Sequence, residues 1–343
     1  MPSPADAGPV EPQLRDSPGA RRGRGREGGE RPMVPQATFT SYYGRPVVKP
    51  SPWAADIPAY LFLGGLAGAS SILAAGADLT GRPSLRRTTR IGAVAGVGLG
   101  FVALIHDLGR PERFVKMLRV AKPTSPMSMG TWILSVYAPL AGLAGAAELT
   151  GALPGRMRWA GNALRLLSRP AGLGAAGLGA AVASYTAVLL ADTATPTWHD
   201  AGGELPFIFA ASSATAAAGL GMLGAPLVEA GPARRLAVGG AVVELLMERR
   251  METSMGLTAE PLHAGRAGAL LRASRALTAG GAVCGLLLGR RSRAAAALSG
   301  IALLAGSVCT RFGIFEAGQM SARDPRYTIV PQRERLAARS ANR

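Results

Sequence analysis

Side chains able to do acid–base or ligand chemistry are few in this chain, and their positions are informative. There are three histidines and two cysteines in 343 residues; only His106 falls inside an apolar block, while His199 and His263 lie in polar connecting stretches. Asp107 follows His106 directly, and Arg110 stands three residues further on. An imidazole donates or accepts a proton near neutral pH, and a neighbouring carboxylate can tune it or relay its proton. On a helix, adjacent side chains diverge by about 100°, so His106 and Asp107 cannot both face one ligand squarely. Asp107 has a second reading, as the i,i+3 ion-pair partner of Arg110. A further set, Glu244, Glu248 and Arg275, sits in two later blocks, with Glu244 deeper than Glu248 and Arg275 at a comparable depth. Two readings stand there as well: a Glu244–Arg275 pair that lowers the burial cost of both groups, or a deep carboxylate on a proton path.

The same inventory excludes several chemistries. A bis-histidine haem needs two axial ligands facing each other across helices, and one helical histidine cannot supply them. Cys284 and Cys309 both fall in apolar blocks, and two thiols cannot hold an iron-sulfur cluster that takes four. The spacing of His, Cys, Asp and Glu matches no metal site.

The elements that position these groups are apolar blocks of about twenty residues, the length that spans a bilayer core of about 30 Å. Hydrophobic residues make up 48% of the chain and charged ones only 17%, most of the latter lying between blocks or in the tails. The pattern predicts an all-α polytopic membrane bundle of about eight transmembrane helices in two four-helix bundles. The predicted helices run from Ile57 to Leu79, Thr89 to Gly109, Ser128 to Thr150, Ala171 to Asp192, Glu204 to Gly224, Pro232 to Arg249, Gly268 to Gly289, and Arg293 to Phe315. The sixth, with Glu244 and Glu248 inside it, carries the weakest apolar signal. Residues 1–40, with RRGRGREGGE from Arg21, read as a disordered basic tail, 41–331 as the transmembrane domain and 332–343 as a basic C-terminal tail. Gly92, Gly96 and Gly100 recur every four residues, as do Gly281, Gly285 and Gly289, which suits close helix packing.

Assigning helix ends to sides divides the polar residues unequally. The side holding both termini, here side B, collects Tyr60, His106, Asp107, Ser128, Met129, Asp192, Thr195, Trp198, Glu244 and Arg275. Side A holds short arginine-rich loops, with Asp78, Glu148 and Glu229 at helix ends. Ionisable groups at membrane depth are expensive, so their concentration at one end marks a functional face. Trp198 reads as an interfacial anchor. The positive-inside rule makes side A cytoplasmic and both termini extracytoplasmic in a cell membrane. It also accounts for the net charge of +17 through loop arginines beside the lipid bilayer, with no nucleic-acid partner.

At this level of detail the sequence resembles the NrfD/PsrC family of polysulfide-reductase-type membrane subunits. The resemblance rests on YYGRP from Tyr42, IPAYLFLGGLAGAS from Ile57, DLGRPERF from Asp107, KPTSPMSMG from Lys122, YTAVLLADTATPTW from Tyr185 and LPFIFAASS from Leu205, and it covers Tyr42 to Pro331. It implies an eight-helix anchor without haem or its own iron-sulfur cluster, in a respiratory oxidoreductase complex. It further implies a quinone site near the membrane surface, taking menaquinone or ubiquinone, and a ferredoxin-like iron-sulfur partner alongside a molybdopterin catalytic subunit. Alone, such a chain is not active as a redox enzyme. On that reading Tyr60 and His106 are ring contacts with Asp107 as relay, Arg110, Ser128, Met129, Asp192 and Thr195 lie at or near the site, and Glu244 and Arg275 mark a proton path. Two rival functions are a secondary transporter, against which stands the absence of internal repeats or paired broken helices, and a structural anchor without a working quinone site.

Overall fold

The computed structural model describes residues 45–109, 112–150 and 158–341, and these are helical with short connections. The helices are α1 (Asp56–Leu79), α2 (Pro83–Leu108), α3 (Glu112–Met117), α4 (Pro126–Glu148), α5 (Arg158–Ala191), α6 (Pro196–Asp200), α7 (Leu205–Gly224), α8 (Gly231–Ser254), α9 (Glu260–His263), α10 (Gly265–Leu287), α11 (Arg293–Arg323) and α12 (Arg326–Ala341). Several run past their predicted ends: α2 begins at Pro83, α5 continues through Pro170, and α11 extends to Arg323. The α2 extension carries Arg86, which is ion-paired, and the α5 extension carries Arg165 and Arg169, so charge alone does not end a helix there. The stretch from residue 332 to Ala341 belongs to α12.

Six of these helices, α1, α2, α4, α5 (from Gly161), α7 and α11, are long and apolar enough to cross a membrane. The other two long helices, α8 with 24 residues and α10 with 23, have sufficient length but carry more charge. Helices α1, α2, α4 and α5 pack on one another, as do α7, α8, α10 and α11, and the two sets meet chiefly where α1 and α5 lie against α7. Small residues set these distances. A Cβ added at Gly68 would fall 2.4 Å from the Gly179 carbonyl oxygen, and one at Gly219 would fall 2.5 Å from that of Gly300, so α1 meets α5 and α7 meets α11 backbone to backbone.

The side A ends are tied by charge. In the first set Arg90 is 4% exposed and bonds Glu148 at 2.9 Å with Asp78 at 3.8 Å, while Arg86 reaches Glu148 at 2.8 Å and Asp78 at 2.9 Å. In the second set, arginines satisfy backbone carbonyls left over at helix ends. Arg293 donates to Met222 and Ala225, each at 2.8 Å, and Arg234 donates to Leu227 and Gly289. Glu229 joins the sets by accepting from the Ser84 and Leu85 N–H groups at 2.7 and 3.1 Å and from the Ser84 hydroxyl at 3.0 Å, which caps the start of α2. Burial opposes the charge on Glu229, but those donors outweigh it and hold the carboxyl below the usual carboxylate range.

At side B the chain between α5 and α7 tucks inward rather than lying on a surface. Trp198, expected as an interfacial anchor, is instead 1% exposed. Its ring stacks on Trp53 at 6.0 Å, packs against Phe315 at 5.5 Å, and donates its N–H to the Ile314 carbonyl at 2.8 Å. Gly318 makes this possible, since a Cβ there would fall 2.0 Å from the indole. An indole buries well when its N–H finds such a partner, and the tertiary contact overrides the preference for an interface.

Candidate functional site

A cavity of about 120 Å³ opens at the side B ends of the first helix set. Its walls come from Trp53, from Ile57 and Tyr60 of α1, Phe101, Leu104, Asp107 and Leu108 of α2, Met117 of α3, Met127, Gly130, Thr131, Leu134 and Ser135 of α4, and Tyr185 and Leu189 of α5. Apolar side chains dominate, with a few polar groups at chosen points, the usual make-up of a small-molecule site.

Each polar group has a local cause. Tyr60 is 6% exposed, and its hydroxyl shares a short hydrogen bond with that of Tyr185. This meeting depends on Gly130, where a Cβ would sit 2.3 Å from the Tyr185 ring; α4 leaves the space into which that ring fits. Thr131 and Ser135 turn their hydroxyls to their own helix, donating to the Met127 and Thr131 carbonyls at 2.9 and 2.7 Å. One turn on, Pro139 has no N–H to give to the Ser135 carbonyl. The phenol pair and Asp107 are therefore the groups left to meet a ligand. Asp107 accepts a backbone hydrogen bond from Ala54 and lies within electrostatic reach of Asp56 and His106. Gly109, with φ of 66°, ends α2 in the left-handed region directly after it and turns the chain away toward α3.

The structure distributes the predicted site residues unevenly. Tyr60 and Asp107 line the cavity together. His106 does not; its side chain is 77% exposed on the outer side of α2, with Nδ1 3.0 Å from Asp56 Oδ2. The 100° divergence of adjacent residues thus resolves in favour of Asp107. Arg110 lies outside the described residues. Ser128 works beside the cavity as a fastener, donating to the Val120 carbonyl at 2.7 Å and accepting the Lys122 N–H at 2.9 Å. Its neighbour Met129 points outward, and Met127 takes the place in the wall. Asp192 is exposed beyond the end of α5, and Thr195 is buried at the start of α6; neither is a wall residue. Tyr185 is the residue that sequence reasoning undervalued. Its signal was a phenol in mid-helix, which needs a partner, although nothing local names Tyr60 as that partner.

The deeper acidic set is also rearranged. Arg275 pairs with Glu248 at 3.0 Å and with Glu252, not with Glu244. Glu244 sits one turn further in and accepts from the Thr310 hydroxyl at 2.8 Å and the Thr215 hydroxyl at 3.3 Å. The expected Glu244–Arg275 pair fails because Arg275 reaches α8 one turn nearer side B. Among the described residues, no three His, Cys, Asp or Glu side chains converge as a metal ion would require.

Residues 47–256, more than half of the chain, match the family model described as polysulphide reductase, NrfD. The match ends at the close of α8, so α10 and α11 lie beyond it. No curated protein matches the chain.

Proposed function

Because this chain belongs to the polysulphide reductase NrfD family, a family of multi-pass membrane subunits of reductase complexes, we propose that it is the quinone-reactive anchor of a respiratory oxidoreductase. In that role it exchanges electrons between the membrane quinone pool and a ferredoxin-like iron-sulfur subunit, with a molybdopterin subunit completing the complex. The observation that carries this reading is the cavity itself: an apolar slot at the helix ends, bounded by the Tyr60–Tyr185 phenol pair and Asp107. Menaquinol or ubiquinol brings a flat apolar ring with two hydroxyls that yields two electrons and two protons. Leu104, Leu134 and Met127 fit the ring, and the phenols of Tyr60 and Tyr185 hold one ring oxygen. Asp107 accepts the two protons one after the other as the ring is oxidised, and His106 with Asp56, just outside the wall, passes each to the side B surface. The electrons leave to clusters on the partner, docked over the same face.

The reading includes eight crossings in two four-helix bundles. Helices α8 and α10 have 24 and 23 residues, enough to cross, and α8 turns its Glu244 and Glu248, 1% and 2% exposed, inward from lipid. Side A, with its short arginine loops, faces the cytoplasm, and both termini are extracytoplasmic. Glu244 and Arg275 mark a second proton route, now by way of Glu248.

The test is quinol-dependent reduction of the partner in membranes carrying the assembled complex. Asp107→Asn should lower the rate about 10²-fold, the scale of a lost general base, with assembly intact. An unchanged rate in that variant would remove the cavity from the mechanism.

A further inference from the structure

Outside the cavity, the least expected group in the molecule is Arg311 on α11. Its side chain is 0% exposed. Nη2 donates to the Phe209 carbonyl at 2.7 Å and to the Ser213 hydroxyl at 2.9 Å, and the guanidinium carbon lies 3.9 Å from the Phe209 ring centroid. Nε and Nη1 are buried without a hydrogen-bond partner, and so is Glu248 Oε1. An unsatisfied buried polar atom gives up its hydration with nothing in return, and a charged group gives up the most. Arg90 also leaves its Nε without a partner, but its other nitrogens meet Glu148 and Asp78, whereas among the described residues no carboxylate contacts Arg311.

Close to Arg311 lies Glu244, within electrostatic reach but not in contact as an ion pair. The cage around this carboxyl has an unusual property. Thr310, which donates to Glu244, also lies 3.1 Å from the Gly306 carbonyl; Thr215, which donates to the other oxygen, lies 2.8 Å from the Ser212 carbonyl. Each hydroxyl can turn to its own helix and then accept rather than donate, so the cage accommodates the carboxyl with or without a proton. Ser274, bonded to Thr310 at 2.6 Å, and Ser212, bonded to Ser307 at 3.0 Å, extend the same adaptable network. The charged groups around Glu244 are Glu248 on α8, Arg275 on α10 and Arg311 on α11; α7 brings hydroxyls only, and α1 presents Gly65 to Arg311.

The approach to this cage is one-sided. Toward side B, Glu248 and Glu252 follow Glu244 at one-turn intervals on α8, bridged by Arg275, and His263, 54% exposed, stands 3.9 Å from Glu252. Toward side A the interior closes on an apolar cluster that includes Met222, Ala237, Ala241 and Leu303.

We propose that Glu244 is a proton-loading site, filled and emptied from side B through Glu248 and Glu252, with Arg311 as the counter-charge that turns to Glu244 when its proton leaves. The transfer balances simply: one proton moves from the side B bath through Glu252 and Glu248 to a Glu244 oxygen and returns by the same route, and the unpartnered Arg311 nitrogens receive the carboxylate in the emptied state. Arg311 faces α1 at Gly65, five residues and so about 7.5 Å along the helix from Tyr60. The loaded and emptied states therefore present different charge to the cavity. The inference rests on the second proton route proposed above but not on quinone binding.

The experiment is isotope-edited infrared spectroscopy on the full chain in lipid vesicles of known orientation. A protonated-carboxyl band that shifts in heavy water should respond to the pH of the side B bath and not to that of the side A bath. Glu244→Gln should remove the band, and Arg311→Met should leave it present but unresponsive to pH. Tyr60→Phe should leave both band and response intact, even where quinol activity is lost, which separates this inference from the cavity reading. Retention of the full band in Glu244→Gln, or a response to the side A bath, would overturn the proposal.

Discussion

Helices α1, α2, α4 and α5 enclose a cavity and pair their charges, whereas α7, α8, α10 and α11 surround charges that are incompletely paired. Arg90 and Arg311 make the contrast concrete. Both are buried arginines on long helices, at 4% and 0% exposure. Arg90 sits at a helix end between Glu148 and Asp78, with Ser168 as a further acceptor, and its role is to hold α2, α4 and α5 together. Arg311 sits in the middle of α11 with no ion-pair partner within 4 Å among the described residues. Stability explains the first arrangement and does not explain the second. Incomplete pairing in the interior therefore points to handling of charge, as empty space in the first set points to handling of a ligand.

The largest expected effect is on that pair. Arg90→Met leaves Glu148 and Asp78 with Arg86 alone and should destabilise the protein by about 2–3 kcal/mol, the scale of lost hydrogen bonds to charged groups. Arg311→Met loses the hydrogen bonds to the Phe209 carbonyl and Ser213 hydroxyl but also the desolvation of a charge that no carboxylate contacts, so the net change should be small, about 1 kcal/mol or less. Thermal unfolding of the two variants in the same detergent compares them directly. If Arg311→Met proves as damaging as Arg90→Met, the contrast between the two sets fails.

Next in size is the cavity. Gly130→Val places side-chain atoms where the Tyr185 ring lies, so the ring must leave Tyr60. Displacement by about 1 Å costs on the order of 10²-fold in rate at a positioned site, and quinol-dependent activity should fall by that much while the complex still assembles. Substitution at Gly142, where an added Cβ meets nothing within 4 Å, is the matched control on the same helix and should leave activity unchanged. Equal behaviour of the two glycine variants would mean that the phenol pair does not matter.

These contrasts were only partly visible in the sequence. Block length and apolarity located the long helices, because the spacing of helix ends is a one-dimensional property. Rotational phase is not. Whether His106 or Asp107 faces inward depends on how α2 packs on α1, and Gly96, where an added Cβ would lie 2.9 Å from the Leu63 carbonyl, sets that packing. Depth is also blurred by a turn: position along the helices sets Arg275 level with Glu244, yet it meets Glu248 and Glu252. Trp198 shows a third limit, since only Gly318, 120 positions further on and folded against it, opens the space that buries the indole. The cage around Glu244 combines hydroxyls from α7, α10 and α11, and no local pattern announces it.

A smaller effect belongs to the edge of the cavity. Ser128 ties the chain between α3 and α4 through Val120 and Lys122, so Ser128→Ala should loosen that loop by about 1 kcal/mol, the typical net value of a hydrogen bond. Hydrogen exchange at the Lys122 amide should rise in proportion. Unchanged protection would show that the loop is held by other contacts.

The smallest effect tests the seam between the two sets. Glu229 reaches from the α7–α8 connection to the start of α2, and its carboxyl is held below the usual range despite partial burial because Ser84 and Leu85 donate to its charged form. A carboxyl depressed in the folded state contributes stability above its unfolded pKa, about 4.3 for glutamate, and that contribution disappears as pH falls through the folded value. Glu229→Gln should therefore be less stable than the parent near neutral pH by about 1 kcal/mol or less, the scale of a helix cap. The gap should close on acidification through the carboxylate range, because the protonated parent then resembles the amide. Melting temperatures of both proteins across pH would read this convergence. A gap that stays constant in acid would assign the seam to packing around Glu229 rather than to its charge.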